Sequence, residues 1–375
     1  MKVTDLRIAF RVDASLDIGT GHVMRCLTLA GVLRDRGAHC FFVSREHPGN
    51  LIDLIRQRGF DAHLLPHAVG ADDITDPEED VALPGYSSWL GTGWVADARQ
   101  TIELLGGATW DWLIVDHYAL DARWEQQLRN VVRRIMVIDD LADRPHDCDL
   151  LLDQNLGRSA DAYRELLPQA CRVLTGPAYA LIHPRFSASR PAKDRSSSPP
   201  SNALRILVAM GGVDQHDATS RVLEGLKQCP LPADSRITVV MGAHAPWLER
   251  VQELAAGMPW PTEVKINVED MAQLMAEHDL AVGAAGTTAW ERCCMGLPTL
   301  LTVLADNQQN GAASLEKNGA VVLLNRFRPL ADELAVKLPP VLDPETLGAM
   351  SRAGMSVTDG RGVFKIAAIL THANN

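Results

Sequence analysis

The chain of 375 residues is predicted to be an α/β protein built from two Rossmann-like domains that face each other across a cleft. Three observations lead there. Short β-rich runs alternate with helical patterns, the arrangement of a parallel sheet covered on both faces. The alternation breaks at "SASRPAKDRSSSPPSN" (187–202), a serine- and proline-rich stretch without periodicity that reads as a linker, and then restarts. A chain of this length also suits two cores better than one.

In the first half, "LRIAFRV" (6–12), "HCFFV" (39–43), "DAHLL" (61–65), "WLIVD" (112–116) and "IMVID" (135–139) read as strands, with "DLLLDQN" (149–155) a further strand end. Helices occupy the stretches between them. After "IGTGH", Val23, Cys26, Leu27, Ala30 and Leu33 form an apolar stripe. In the second half the strands are "LRILVAM" (204–210), "RITVVM" (236–241), "DLAVGA" (279–284) and "PTLLTV" (298–303). The expected division is a first domain over 1–186, the linker, a second domain over 203–358 and a closing helix over 359–375 that crosses back to the first domain. Ligands of open parallel sheets bind at the carboxyl ends of the strands, so the cleft is the expected site.

Composition narrows the function. The net charge of −11 disfavours a general nucleic-acid binder, which would carry a basic stripe. The start, "MKVTDLRIAF", lacks the apolar core and cleavage site of a signal peptide, and no apolar run approaches a membrane span. The seven cysteines are odd in number and scattered without a CxxC pair. A disulfide framework or zinc knuckle is therefore not expected, and a cytoplasmic protein is.

Three glycine loops follow strands and precede helices: "DIGTGHVMR" (17–25), "AMGGVDQHDAT" (209–219) and "GAAGTTAWERCCMGLP" (283–298). Any one of them alone reads sooner as a tight packing turn. Three at the ends of parallel strands favour a phosphorylated ligand, because glycine admits close approach and the first helical amides lack internal partners. The candidate contacts are Gly19, Thr20 and Gly21; Gly211 and Gly212; and Gly286, Thr287 and Thr288. Met24 stands where a dinucleotide fingerprint needs its third glycine, and no Walker A lysine, HExxH helix or GxSxG elbow occurs.

His22 opens the first of these helices. Such a histidine serves as a cap or as a partly buried core residue in many proteins; here the helix dipole favours a neutral imidazole that can accept a proton. Asp13, Ser15 and Asp17 lie on the same connection as possible orienters of the ring, and Arg25, one turn on, faces either solvent or an anionic ligand. Glu291 is either a solvated glutamate near a helix start or a carboxylate that bridges two ribose hydroxyls. Asn307 and Gln308 in "ADNQQNG" present amides to a ligand or form a helix cap. Asp116, His117 and Tyr118 cluster at a strand end, with helix capping by Asp116 as the alternative.

The segments "RVDASLDIGTGHVMRCLTLA", "DWLIVDHYALDARWE", "VIDDLADRPHDCDLLLDQN", "GPAYALIHPRF", "LVAMGGVD" and "DLAVGAAGTTAWERCCMGLPTLLTVLADNQ" together resemble the UDP-sugar hydrolases of the pseudaminic acid pathway, over about residues 7–310. That family acts on UDP-2,4-diacetamido-2,4,6-trideoxy-β-L-altropyranose. The last segment also resembles the UDP-binding stretch of the peptidoglycan N-acetylglucosaminyltransferase, which implies a GT-B-like architecture. The resemblance implies that His22 is the catalytic base, that Glu291 grips the nucleotide, and that Asn307 and Tyr118 line the site. The stretch 66–95 and the long linker depart from the family pattern.

The implied reaction is hydrolysis of the anomeric C1–O bond, releasing UDP and the free sugar. A diphosphate leaves as a stabilised anion, so one base suffices where glycosidases need two carboxylates. No cofactor and no obligatory divalent ion are expected; the one partner expected is a UDP-linked diacetamido sugar, with no nucleic acid, no membrane insertion and no protein partner specified. The rival readings are a glycosyltransferase on the same scaffold, a non-catalytic UDP-sugar-binding protein in surface-polysaccharide assembly, and a UDP-sugar 2-epimerase.

Overall fold

The computed structural model describes residues 6–67, 86–194, 203–243 and 245–372. The chain divides into two compact units, one of Met1–Leu181 with Val363–Asn375 and the other of Ile182–Gly362.

The first unit holds a seven-stranded parallel sheet in the order β3-β2-β1-β4-β5-β6-β7. Its strands are β1 (Arg7–Val12), β2 (His39–Arg45), β3 (Asp61–Leu65), β4 (Trp112–Asp116), β5 (Ile135–Ile138), β6 (Leu150–Asp153) and β7 (Arg172–Thr175). Side chains alternate between faces along each strand. Ile8, Phe10 and Val12 of β1 join Trp112 and Ile114 of β4 in one buried cluster, whereas Ala9 joins Leu113 and Val115 in another. Helix α1 (Gly21–Asp35) covers the first face through Val23, Cys26, Leu29, Ala30 and Leu33. The last helix, α13 (Gly362–His372), covers the same face through Val363, Ile366, Ala367 and Leu370. There the Trp112 indole donates to the Leu370 carbonyl at 3.2 Å.

The second unit holds a six-stranded parallel sheet in the order β10-β9-β8-β11-β12-β13. Its strands are β8 (Arg205–Ala209), β9 (Arg236–Met241), β10 (Thr262–Ile266), β11 (Leu280–Ala284), β12 (Thr299–Thr302) and β13 (Val321–Leu324). Helix α6 (Ala218–Leu226) packs on α11 (Leu330–Val341), and Gly225 is what lets them approach. A Cβ there would lie 2.9 Å from the Ala331 Cα.

Three strands were not expected from the sequence, namely β7, β10 and β13, and each is an edge strand. Central strands of a parallel sheet are buried on both faces and read as apolar runs; "TEVKI" of β10 is half-exposed and does not. Helix α5 (Pro184–Ser189) enters the stretch expected as linker, of which 195–202 lies outside the described residues. Of the 66–95 segment, 68–85 lies outside them too; its end forms a 3₁₀ turn, Ser87–Leu90, and the start of α3 (Trp94–Leu105).

Because Leu370 is fully buried in the first unit's core, Leu370→Ala is expected to cost about 2–5 kcal/mol. Chemical denaturation measures this, and a loss under about 1 kcal/mol would mean that α13 contributes little to that core.

Candidate functional site

The order of the first sheet reverses between β1 and β4, and in open parallel sheets that switch point opens a crevice beyond the strand ends. The chain leaves β1 through the loop 13–20 and enters α1 beside it. β4 ends on Asp116, which pairs in register with Val12. Strand alternation puts Asp116 on the face of Trp112 and Ile114, the face α1 covers. His22, Arg25 and Cys26 are spaced so as to share one side of α1, and all three meet that carboxylate.

The His22 Nδ1 lies 2.6 Å from Asp116 Oδ1. Arg25 donates Nε to Oδ2 and Nη2 to Oδ1, both at 2.6 Å, a bidentate clamp. Burial alone would raise the Asp116 carboxyl, but the Arg25 charge and His22 outweigh it and hold the group well below the ordinary carboxylate range. An ionised carboxylate only accepts, so Nδ1 carries the hydrogen and the Nε2 of a neutral ring carries the lone pair. No described residue hydrogen-bonds Nε2. The His22 side chain keeps 11% of its surface exposed, whereas Asp116 keeps none.

The ring is therefore oriented by Asp116 and not by Asp13, Ser15 or Asp17. The Ser15 hydroxyl accepts from the amides of Asp17 and Ile18, which shapes the loop. Asp13 is fully buried: Oδ1 accepts from Arg11 at 2.6 Å and from the Arg45 amide at 2.6 Å, and Oδ2 faces the His117 Nε2 at 3.2 Å. The His117 Nδ1 accepts from the Ala119 amide, so its proton sits on Nε2, towards Asp13. Asp13 and His117 thus belong to a buried ion cluster with Arg11, Arg45 and Asp97, not to the surround of His22. Arg25 is neither solvated nor free for a ligand. Asp116 caps no helix; Asp121 caps α4 (Ala122–Leu128) instead.

Tyr118 does join the site. Its ring stands edge-on to His22, centroids 4.8 Å apart, and its hydroxyl donates to Asp140, which also approaches Arg25 Nη1 at 3.3 Å. Trp89 stacks on Tyr118 at 5.6 Å and lies 6.5 Å from His22, with Tyr86 at 4.7 Å from Trp89. Asp140, Trp89 and Tyr86 escaped sequence reasoning. Asp140 had a signal, an acid just past the end of β5; the two aromatics sit in an irregular segment with none.

Gly19 adopts φ +78°, a left-handed conformation that suits glycine, and a Cβ on Gly19 or Gly21 would meet no atom within 4 Å. Thr20 makes no side-chain cap, and the first amide bonded within α1 is that of Met24. The amides at the mouth of α1 remain open.

In the second unit the switch point lies between β8 and β11. Gly211 and Gly212 leave β8 exposed to solvent, Gly211 at φ +100°. The helix that follows is already capped from within: Asp214 accepts from the Ala218 and Thr219 amides, both at 2.8 Å. The expectation of three open helix mouths thus fails at α6, where the protein's own carboxylate fills the anion site. At α9 (Thr287–Cys294) Gly286 is the N-cap and no side chain caps it. Thr287 and Thr288 are half-buried, and the Thr288 hydroxyl accepts from Arg292 at 3.2 Å. Gln308 stands at the N-cap position of the helix Gln309–Asn318, but its side chain makes no cap bond and instead accepts from the Leu304 amide at 3.0 Å; a Cβ on Gly286 would lie 4.0 Å from its Nε2. Asn307 sits beside it in the 3₁₀ turn Asp306–Gln308. Glu291, one turn into α9, is only partly shielded from solvent, yet burial pushes its carboxyl up to about 7, against a weak opposing pull from Arg292.

Among the described residues, no group of three or more His, Cys, Asp and Glu is arranged to hold a metal ion, and no helix is long and apolar enough to cross a membrane.

Residues 205–360 match the model of the glycosyltransferase family 28 C-terminal domain. The spore coat polysaccharide biosynthesis protein SpsG of Bacillus subtilis is 29% identical over 53% of this chain, a stretch that spans 58% of SpsG. The UDP-2,4-diacetamido-2,4,6-trideoxy-beta-L-altropyranose hydrolase of Campylobacter jejuni is 25% identical over 84% of this chain and 97% of its own. The crystal structure of MurG from Acinetobacter baumannii superposes with a TM-score of 0.63 at 14% identity, over 98% of this chain and 99% of MurG. The chain has the GT-B fold, is similar over residues 205–360 to the glycosyltransferase family 28 C-terminal domain, and is a distant relative of the Campylobacter altropyranose hydrolase.

Proposed function

We propose that the chain hydrolyses the anomeric C1–O bond of a UDP-linked 2,4-diacetamido-2,4,6-trideoxy sugar, the altropyranose of its Campylobacter relative being the first candidate. The observation that carries this reading is the state of His22: Nδ1 is held by an ionised, buried carboxylate and Nε2 is left without a partner among the described residues. That is the arrangement of a general base, and such help is typically worth on the order of 10²–10⁴ in rate.

The steps follow from the groups. Nε2 takes a proton from water as the water oxygen bonds to C1 and the C1–O bond breaks. UDP departs as a diphosphate that needs no protonation to leave. Asp116 keeps the ring in one tautomer and favours the imidazolium that forms; Arg25 keeps Asp116 ionised. The open amides at the mouth of α9 suit the charge that grows on the leaving diphosphate. Trp89, half-buried and stacked on Tyr118, offers an aromatic face for the apolar side of the sugar. Glu291 accepts from the ribose hydroxyls.

Glycosyl transfer is the second reading, favoured by the family 28 match. Anomeric-proton NMR of the UDP-sugar decides between them. Hydrolysis releases free sugar and UDP in buffer alone, whereas a transferase leaves the substrate intact until an acceptor is added. No turnover of any UDP-diacetamido sugar, with UDP still bound, would leave a binding protein.

His22→Asn is expected to lower kcat by about 10² or more while UDP affinity changes less than about twofold; a variant retaining over a tenth of kcat places the base elsewhere. Glu291→Gln is expected to weaken UDP binding about tenfold by calorimetry, and an unchanged affinity rejects the ribose role. The same variant tests the raised carboxyl. Between the ordinary glutamate value and about 7 the native state holds a proton that the unfolded state has lost, so the wild type loses stability as pH rises through that window. Glu291→Gln escapes the loss: its Tm should exceed the wild type at pH 8 and converge with it near pH 4.5, and parallel curves would contradict the shift.

A further inference from the structure

The seven cysteines are all free, and six of them are buried. Two sulfurs approach each other: Cys148 Sγ lies 3.5 Å from Cys171 Sγ. Cys148 stands two residues before β6 and Cys171 one residue before β7, and these strands pair in parallel with Leu150 opposite Arg172. The Arg172 amide donates to the Asp149 carbonyl at 3.0 Å, so the ladder reaches the two cysteines. Neighbouring strands lie about 5 Å apart, inside the Cα separation that a disulfide spans without moving the backbone. Side-chain rotation alone must bring the sulfurs to about 2 Å.

The two thiols differ as the partners in an exchange must. Cys171 is partly exposed and open to a reagent, whereas Cys148 is 2% exposed within the apolar cluster around Tyr163. The Cys148 thiol faces the Cys171 sulfur and pulls its titration below the ordinary thiol range, while its own is pushed up. Asp149 and Glu125 face the pair; Arg129, clamped on Asp147 and Asp149, partly offsets their charge.

We propose that Cys148 and Cys171 form a reversible intramolecular disulfide through exchange with an external disulfide, a modification site independent of the proposed hydrolysis. The Cys171 thiolate attacks one sulfur of the reagent and expels the other as a thiolate. Cys148 then gives up its proton, attacks the Cys171 sulfur and expels the second thiolate. One external disulfide is reduced to two thiols, and two protein thiols are oxidised to one bond. The bridge ties β7, an edge strand, to β6 and closes the connection that carries Arg158 and Tyr163, which hold Asp153 at the far end of β6.

The test is equilibration of the full-length protein in oxidised and reduced glutathione, followed by rapid alkylation, intact mass and peptide mapping. A species lighter by two hydrogens should appear, with alkylation of Cys148 and Cys171 reduced about tenfold and the other five cysteines unchanged. Cys148→Ser should instead trap glutathione on Cys171, and Cys171→Ser should leave Cys148 inert. The bridged wild type should melt a few degrees above the reduced form. A wild type that accumulates glutathione on Cys171 without the bridge, or in which neither cysteine reacts, overturns the proposal, and this measurement needs no variant to fold.

Discussion

One carboxylate organises the first unit's candidate site. Asp116 is fully buried, and an unpaired charge there would be prohibitive. It survives because three side chains from successive positions on one side of α1 converge on it. Ion pairs so deep do not in general stabilise a fold beyond what apolar packing would give. What this one provides is definition: the bidentate Arg25 clamp sets where Asp116 points, and Asp116 sets where the imidazole points. The position of a helix mouth against a strand end thereby becomes the position of one nitrogen.

The same architectural solution occurs twice, with different electrostatic outcomes. Each unit reverses strand order once, and each places a glycine loop and a helix mouth there. At α1 and α9 no side chain caps the helix, and its amides stay available to an anion. At α6, Asp214 reaches forward onto the first amides from a left-handed backbone position. A carboxylate so placed satisfies the helix and repels a second anion, so a glycine loop before a helix is not by itself a phosphate cradle. The distinction rests on whether an acid between the glycines and the helix reaches forward to its first amides.

Much of this was legible in the residues, and what was not has physical reasons. Central strands were visible as apolar runs because a parallel sheet buries both their faces; the edges β7, β10 and β13 are short or half-wet and carry no such signature. His22 stood out by its place behind "IGTG", and Asp116 by its place after "WLIV". Their pairing did not, because it depends on which strand lies beside β1, a fact of topology that local pattern does not contain. Acids end or directly follow four strands of the first unit, as Asp13, Asp116, Asp139 and Asp153, and sequence alone does not tell the one that meets His22 from those that hold buried arginines or Tyr163.

The orientation of His22 also changes the argument for the base proposed above. From sequence, the positive end of α1 was the feature that kept the imidazole proton-free. In the folded unit the nearest charges to the Nδ1 are Asp116 at 2.6 Å and Arg25 at 3.3 Å. Arg25 is itself paired with the same carboxylate, so the ring faces an ion pair and not a naked anion. Tautomer, more than dipole, is then what matters: the hydrogen on Nδ1 is demanded by an acceptor that cannot donate, and the lone pair on Nε2 follows from it.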